Sequence, residues 1–388
     1  MKTLVRPITL VEVEFQIKKL KQSAAGLDGV DRKAIRAIDS EEWLGWMNIF
    51  LEIRRLPKVL KRFRLKLIPK KQGATLPSEF RPINIGSMVR RLYGDILAQR
   101  FEIIETSFQQ RGFKPSEGCA INLKIFEDLL KETTSQAKGI SYAFLDVRKA
   151  FDSVKHTSII DILAKRGCPR QMVKIVADLY HGNKTSLEDG SIIKLKQGVV
   201  QGDPLSPIVF NIVLDYVLRR SLKGRDPVPY GNGTIEYLAF ADDLVFLAEN
   251  PQTLQVKINA LSKGMNHIGL SFNVAKCRAA HIMKHRSKNK AWYIGTQASV
   301  KSNGTEIPNM SAGETYRYLG VKLYQDGKAA FKIDRSYIKP QDKLAKMSKV
   351  HQGKRVCGMH SSEKRHIGNS VKDCERRKSQ PGKALQLA

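Results

Sequence analysis

The chain's 388 residues suffice for a large core and more than one subdomain, and 42% hydrophobic residues make a globular composition. Lys plus Arg (67) against Asp plus Glu (37) leaves a formal charge of +30, more than solubility requires, which points to a polyanionic partner, nucleic acid first. No apolar run reaches membrane-spanning length, since SPIVFNIVLDYVL is interrupted by Asn211 and Asp215. The N-terminus places Arg6, Pro7, Glu12 and Glu14 where a secretory segment would be apolar. An intracellular protein with no membrane partner is therefore expected. The five cysteines, at 119, 168, 277, 357 and 374, include no CxxC pair, which suits a reducing compartment and argues against a zinc ribbon. The spacing of Cys357, His360, His366 and Cys374 fits no standard metal pattern.

Residues 1–56 read as mainly helical and amphipathic, with Val13, Ile17 and Leu20 on one face, a turn-like AAGLDGVD, and helical spacing resumed at Ile35 and Ile38. Arg64 to Ile68 alternates basic and apolar residues as a half-exposed strand does. Pro69 to Phe80 reads as a loop, and beyond Arg81 and Pro82 the spacing of Val89, Leu92, Ile96 and Leu97 marks a helix. Lys70, Lys71 and Arg81 flank the loop. They could grip a triphosphate, or simply be a solvated basic face.

Ile140 to Leu145 has the composition of a buried strand and ends at Asp146; Phe151, Val154, Ile159, Ile160 and Leu163 then predict helix, with Asp152 on its surface. Taken alone, Phe151 is as well read as a core aromatic. In KQGVVQGDPLSPIVFNIVLDYVLRR, Gly198 and Gly202 permit close backbone approach. Ser206 and Pro207 predict the N-cap and first turn of a helix running through Arg220. The loop could contact a ligand, or need glycine only for a strand-to-helix connection.

The stretch Tyr237 to Glu249, YLAFADDLVFLAE, predicts two short buried strands with a tight turn at Asp242 and Asp243. Two carboxylates at an apolar hairpin tip would gather cations, unless the turn merely faces water. Asp146 tips the balance. A second acidic strand end can face the first, and together they could hold two divalent cations for an in-line phosphoryl displacement. Leu254 to Ile268 reads as an amphipathic helix, and GLSFNVAKC and TYRYLGVKL as short strand-like pieces. Lys276 could protonate a departing pyrophosphate, though a lone lysine is usually a surface residue.

The ordered set IPKK with FRPI, FLDVRKAFDSV, VVQGDPLSPIVFN, FADDLVF, GLSFNVAKC and YLGV resembles the successive motifs of reverse transcriptases. In detail it resembles those of non-LTR retrotransposons, particularly the site-specific class inserting into ribosomal RNA genes; AFADD, QGDPLSP and QRGFKPSEGCA favour that class. The likeness covers about residues 24–324. It implies an α+β right-hand polymerase with fingers and a palm of antiparallel sheet backed by helices, working as an RNA-directed DNA polymerase with Mg2+ (two ions, Mn2+ also possible), an RNA template, a DNA primer and deoxynucleoside triphosphates. It further implies a nuclear site of action with a cytoplasmic RNA–protein stage. Asp146, Asp242 and Asp243 match the metal-binding acids. Lys70 and Arg81 match the triphosphate-holding fingers residues, Phe151 the aromatic beneath the sugar, Gln201 and Gly202 the loop positioning the nascent pair, and Lys276 the proton donor.

The expected division is a helical extension over 1–56, fingers and palm over 57–324, and a vestigial thumb with a basic tail over 325–388, largely disordered from 345. Members of that class are longer, with N-terminal zinc-finger and Myb-like modules and a C-terminal zinc knuckle and endonuclease. The chain shows neither module, so no DNA cleavage by it is expected. Rival readings are a catalytically inactive RNA-binding remnant and a group II intron or retron-type enzyme.

Overall fold

The computed structural model describes residues 1–136, 139–284, 292–295, 298–310, 314–325 and 331–334. Residues 1–333 form one compact unit. Apart from residue 325 and the strand Phe331–Asp334, the expectations for the thumb, the basic tail and the cysteines and histidines beyond 350 lie outside the described residues.

The central element is the strand Ile140–Leu145, buried at every position. It pairs antiparallel with Asp243–Ala248 on one side and Arg278–Lys284 on the other. Tyr237–Phe240 and Trp292–Gly295 complete a five-stranded antiparallel sheet. A strand covered on both faces needs apolar residues nearly throughout, and ISYAFL supplies them except at Ser141, whose buried hydroxyl is hydrogen-bonded to His281 Nδ1 at 2.7 Å. On one face Tyr142 and Phe144 meet Phe126 of the helix Gly118–Gln136 edge-on, at 5.2 and 5.5 Å, and Tyr316 stacks on Phe144 at 4.4 Å. On the other, Ala143 and Leu145 join a large core with Phe246, Leu261 and Phe210. That core is backed by the helices Ser206–Leu222 and Pro251–His267.

A second sheet of four strands, in the order Phe80–Gly86, Arg62–Pro69, Lys184–Ser186, Ile192–Lys194, stands beside the first. The two sheets with their helices are fingers and palm in an α+β fold. The strand Arg62–Pro69 contains the predicted Arg64 to Ile68. The helix predicted by Val89, Leu92, Ile96 and Leu97 is Met88–Phe101, but residues 80–86 ahead of it form a strand that was not predicted. They pair with Arg62–Pro69 from Phe63 opposite Gly86 to Pro69 opposite Phe80. Pro82 cannot donate to a ladder, and it is tolerated because this strand lies at the sheet edge.

The N-terminal segment forms the predicted helices, at Leu10–Lys19, Arg32–Ala37 and Ser40–Ile53. Thr9 and Glu12 make a reciprocal capping box on the first. Glu12 also pairs with buried Arg100 of the helix Met88–Phe101, accepting from Nε at 2.8 Å and from the second guanidinium nitrogen at 2.9 Å. Arg100 donates in addition to the carbonyls of Leu4, Arg6 and Pro7. Arg100 thereby fastens the extension to the helix Met88–Phe101, with Gln16 donating to Gln99 and Arg91 to Ser23 and the Ala24 carbonyl beside it.

Further expectations are corrected. Ser206 is not the cap of its helix: Leu205 is, and the Asp203 carboxylate accepts the Leu205 N–H at 3.1 Å. GLSFNVAKC is not a strand; Phe272 makes a single bridge to Val147, and 274–276 is a 3-10 turn. TYRYLGVKL, expected as one short strand-like piece, is a hairpin of two strands, Thr315–Tyr318 and Val321–Gln325, joined by Leu319 and Gly320 in positive φ. Among the described residues no helix is long and apolar enough to cross a membrane.

Candidate active site

Phe240 pairs with Asp243, so the loop between the two acidic-hairpin strands is only Ala241 and Asp242. Ala241 adopts φ +54, the left-handed region that two-residue hairpin loops demand and that a side chain disfavours. The strain is held from outside. Buried Gln110 accepts the Ala241 N–H on Oε1 at 2.9 Å and donates Nε2 to the Ala241 carbonyl at 3.2 Å. The same Oε1 takes the Gly112 N–H at 3.0 Å, and a Cβ on Gly112 would fall 2.2 Å from the Ala241 nitrogen. Gln109 completes the clasp by accepting the Glu236 and Tyr237 N–H groups at 2.9 and 3.0 Å.

Asp146 follows the central strand directly. Because Leu145 pairs with Leu244, the end of that strand lies beside the start of the strand headed by Asp243. The Asp146 backbone is fixed on both sides: its carbonyl accepts the Asn273 N–H at 2.8 Å, and its N–H points to Cys277 Sγ at 3.4 Å. The three carboxylates consequently feel one another. Burial, then the charge of Asp146, raises the Asp242 carboxyl above its ordinary range. Burial, then Asp242 and Asp146, pushes Asp243 up to about 6. Asp243 is nonetheless open to solvent, so it is wetted on one side and crowded by protein on the other. The Tyr316 phenol, raised chiefly by burial, also feels Asp146 and Asp243.

No Lys or Arg among the described residues forms an ion pair with Asp146, Asp242 or Asp243. Mutually repelling carboxylates with hard oxygen donors and no protein cation fit a divalent ion of the magnesium type. Among the described residues no three acidic, His or Cys side chains close into a cage. Magnesium asks for none, being bound through one or two carboxylates with water and phosphate oxygens filling its octahedron.

The other expected residues lie on the helix Ala150–Ser153, the loop before the helix Ser206–Leu222, the edge of the fingers sheet and the turn Val274–Lys276. Phe151, half-buried, stacks on Phe210 at 4.7 Å and meets Phe113 edge-on at 6.0 Å. Gln201 is half-buried, and Gly202, at φ +108, lies so close to the Asn84 carbonyl that a Cβ would sit 2.7 Å from its oxygen. Lys70 and Arg81 are exposed at the tip of the fingers sheet, where Arg81 pairs with Ile68. Lys70 Nζ donates to the Ser78 carbonyl at 2.8 Å, and Lys71 pairs with Glu79. Lys276 is exposed on the 3-10 turn whose Asn273 holds the Asp146 carbonyl.

Asp152 is a correction. It is half-buried rather than a helix-surface residue, and it accepts Gln201 Nε2 at 2.7 Å. Sequence reasoning also passed over Gln110 and Gly112, whose only signal was their place in the distinctive QRGFKPSEGCA segment. A third omission is Arg90, which is fully buried. It donates to Asp203 at 2.9 Å and to the Leu179 carbonyl at 2.9 Å, and lies over the Phe63 ring, locking the QGDP loop to the fingers.

Two adjacent antiparallel strand ends carry carboxylates that interact electrostatically, an arrangement that suits the palm of a polymerase. The chain belongs to the reverse transcriptase (RNA-dependent DNA polymerase) family, whose pattern residues 68–323 match; polymerases of this family use divalent metal ions. It is 34% identical over 360 residues to the retrovirus-related Pol polyprotein from type-1 retrotransposable element R2 of Nasonia vitripennis, covering 89% of this chain and 34% of that protein. It is 35% identical over 338 residues to the corresponding polyprotein from type-2 retrotransposable element R2DM of Drosophila melanogaster, covering 83% and 32%. The chain thus spans about a third of the length of these relatives. The RNA-directed DNA polymerase from mobile element jockey of Drosophila funebris is 27% identical over 339 residues, covering 82% of this chain and 35% of that protein. Among solved structures, apo telomerase from Candida tropicalis aligns over 72% of this chain and 49% of its own, at 14% identity and a TM-score of 0.47.

Proposed function

We propose that this chain is the RNA-directed DNA polymerase of a non-LTR retrotransposon, extending a DNA 3′-hydroxyl on an RNA template. The observation that carries the reading is the meeting of Asp146 with Asp242 and Asp243: burial and then the charge of Asp146 raise the Asp242 carboxyl, burial and then both neighbours raise Asp243, and no Lys or Arg among the described residues pairs with any of the three. In this reading Asp146 and Asp242 would hold two magnesium ions, with Asp243 assisting. When bound, such ions activate the attacking hydroxyl and neutralise the leaving phosphate. Lys70 and Arg81, exposed at the fingers tip, hold the triphosphate, Arg81 by its planar fork and Lys70 as a mobile charge. Phe151, braced by Phe210, stands beneath the sugar and excludes a 2′-hydroxyl by volume. Gln201 and Gly202 seat the nascent pair, and Lys276 returns a proton to the departing pyrophosphate.

The domain reading accompanies this: 57–324 as fingers and palm, with 1–56 as an extension buttressing the fingers through Arg100. The test is incorporation of deoxynucleotides on a primed RNA template with magnesium. Tight RNA binding without incorporation by a folded chain would instead support an inactive remnant.

A further inference from the structure

Asp152 and Gln201 lie 49 residues apart in sequence and are joined by a 2.7 Å hydrogen bond from Gln201 Nε2 to Asp152 Oδ1. The backbone builds this contact in. Val199 N–H donates to the Phe151 carbonyl and Gly198 N–H to the Val154 carbonyl, each at 2.7 Å, lacing 198–201 along the short helix Ala150–Ser153. Gly198, at φ +82, lies so close that a Cβ would sit 2.8 Å from the Asp152 backbone. On its other side the Gln201 carbonyl accepts the Asn84 N–H at 2.8 Å. Gln201 therefore bridges the helix bearing Phe151 and the fingers strand bearing Arg81.

The chemistry of the pair selects an orientation. An ionised carboxylate can only accept hydrogen bonds, so it admits the NH2 of the Gln201 amide and rejects its oxygen. Gln201 Oε1 is left as an acceptor, and no described residue donates to it. Asp152 also lies within electrostatic reach of Lys149 and Lys70.

We propose that Asp152 is a positioning residue for the incoming nucleotide: it fixes the Gln201 amide so that Oε1 accepts a hydrogen bond from a donor on the nucleotide seated beside Phe151. This rests on the polymerase reading above. Asn in place of Asp keeps the shape but can pair with either end of an amide, so the selection is lost while the packing remains.

The experiment is a double-mutant cycle of Asp152→Asn and Gln201→Met in the full chain, reading nucleotide KM and kcat on a primed RNA together with thermal melting. Asp152→Asn is expected to raise KM about fivefold with kcat within about twofold and melting unchanged. In the Gln201→Met background the same change should move KM by less than about 1.5-fold. An equal rise in that background would show that Asp152 acts through Lys70 or the fold and would overturn the proposal, as would an unaltered KM in the single variant. Asp152→Ala gives the same comparison if the Asn variant melts early. Nucleotide affinity is also read on a primer ending in a dideoxynucleotide, where no bond forms. A wild-type chain that never extends would defeat the polymerase reading, while the affinity cycle would still decide the role of Asp152.

Discussion

Gln110 holds Ala241 by both of its backbone polar groups, accepting from its nitrogen at 2.9 Å and donating to its oxygen at 3.2 Å across 131 residues of sequence. The acidic turn is therefore set by a buried amide outside the hairpin. Gln110→Ala strands three buried backbone groups and should cost at least about 3 kcal/mol, from about 1–3 kcal/mol for each unsatisfied group. It should lower primer extension further than the loss of folded protein accounts for. Denaturant unfolding beside extension rates at a temperature where both proteins are folded separates the two. Gly112→Ala, whose Cβ meets the Ala241 backbone, should reproduce the activity loss.

Glu12 predicts an acid-sensitive fingers domain. Burial raises its carboxyl, but the hydrogen bonds from Arg100 and Thr9 outweigh burial and bring it down to about 2. A depressed carboxylate contributes stability that is present above its unfolded pKa, near 4.5, and is lost as pH falls through about 2. Glu12→Gln should cost about 2–3 kcal/mol at neutral pH and flatten the loss of stability between pH 4.5 and 2. Chemical denaturation across that range, with the variant and wild type converging at the acid end, is the check.

Arg90→Leu should be among the most damaging single changes away from the carboxylates. It leaves Asp203 buried without its guanidinium and removes the donor to the Leu179 carbonyl. Breaking one side of a buried pair costs about 3–5 kcal/mol, and Arg90→Lys, which lacks the planar fork, should recover only part of it. Equilibrium unfolding of the three proteins gives the answer.

Phe151→Ala should raise ribonucleotide incorporation relative to deoxyribonucleotide by at least about tenfold, since the ring that would meet a 2′-hydroxyl is gone. Losing the stacking on Phe210 should cost about 1–2 kcal/mol, because Phe151 is only half-buried. Competing incorporation of paired nucleotides measures the first effect and thermal melting the second.

These predictions divide by what a linear sequence can carry. Asp146 and Asp242 were legible because each ends an apolar run, and a run's end is visible one residue at a time. The strand Phe80–Gly86 was not, since an edge strand with Arg81, Pro82 and Asn84 lacks the alternation of a half-buried one. Asp152 looked like a surface acid because its partner, Gln201, is 49 residues away. Gln110, Gly112 and Arg90 share that property: their roles lie wholly in tertiary contacts, and short-range periodicity holds no trace of them. The cap assigned to Ser206 failed more locally, because Asp203 reached the helix N-terminus first.

The most direct measurement is magnesium-dependent extension of a DNA primer on an RNA template by the full chain, with Asp242→Asn as its partner. Extension by the wild type, lost by at least about a hundredfold in the variant while RNA affinity stays within about twofold, is the predicted result. Undiminished extension by Asp242→Asn would contradict the assignment of the acidic hairpin as the catalytic centre.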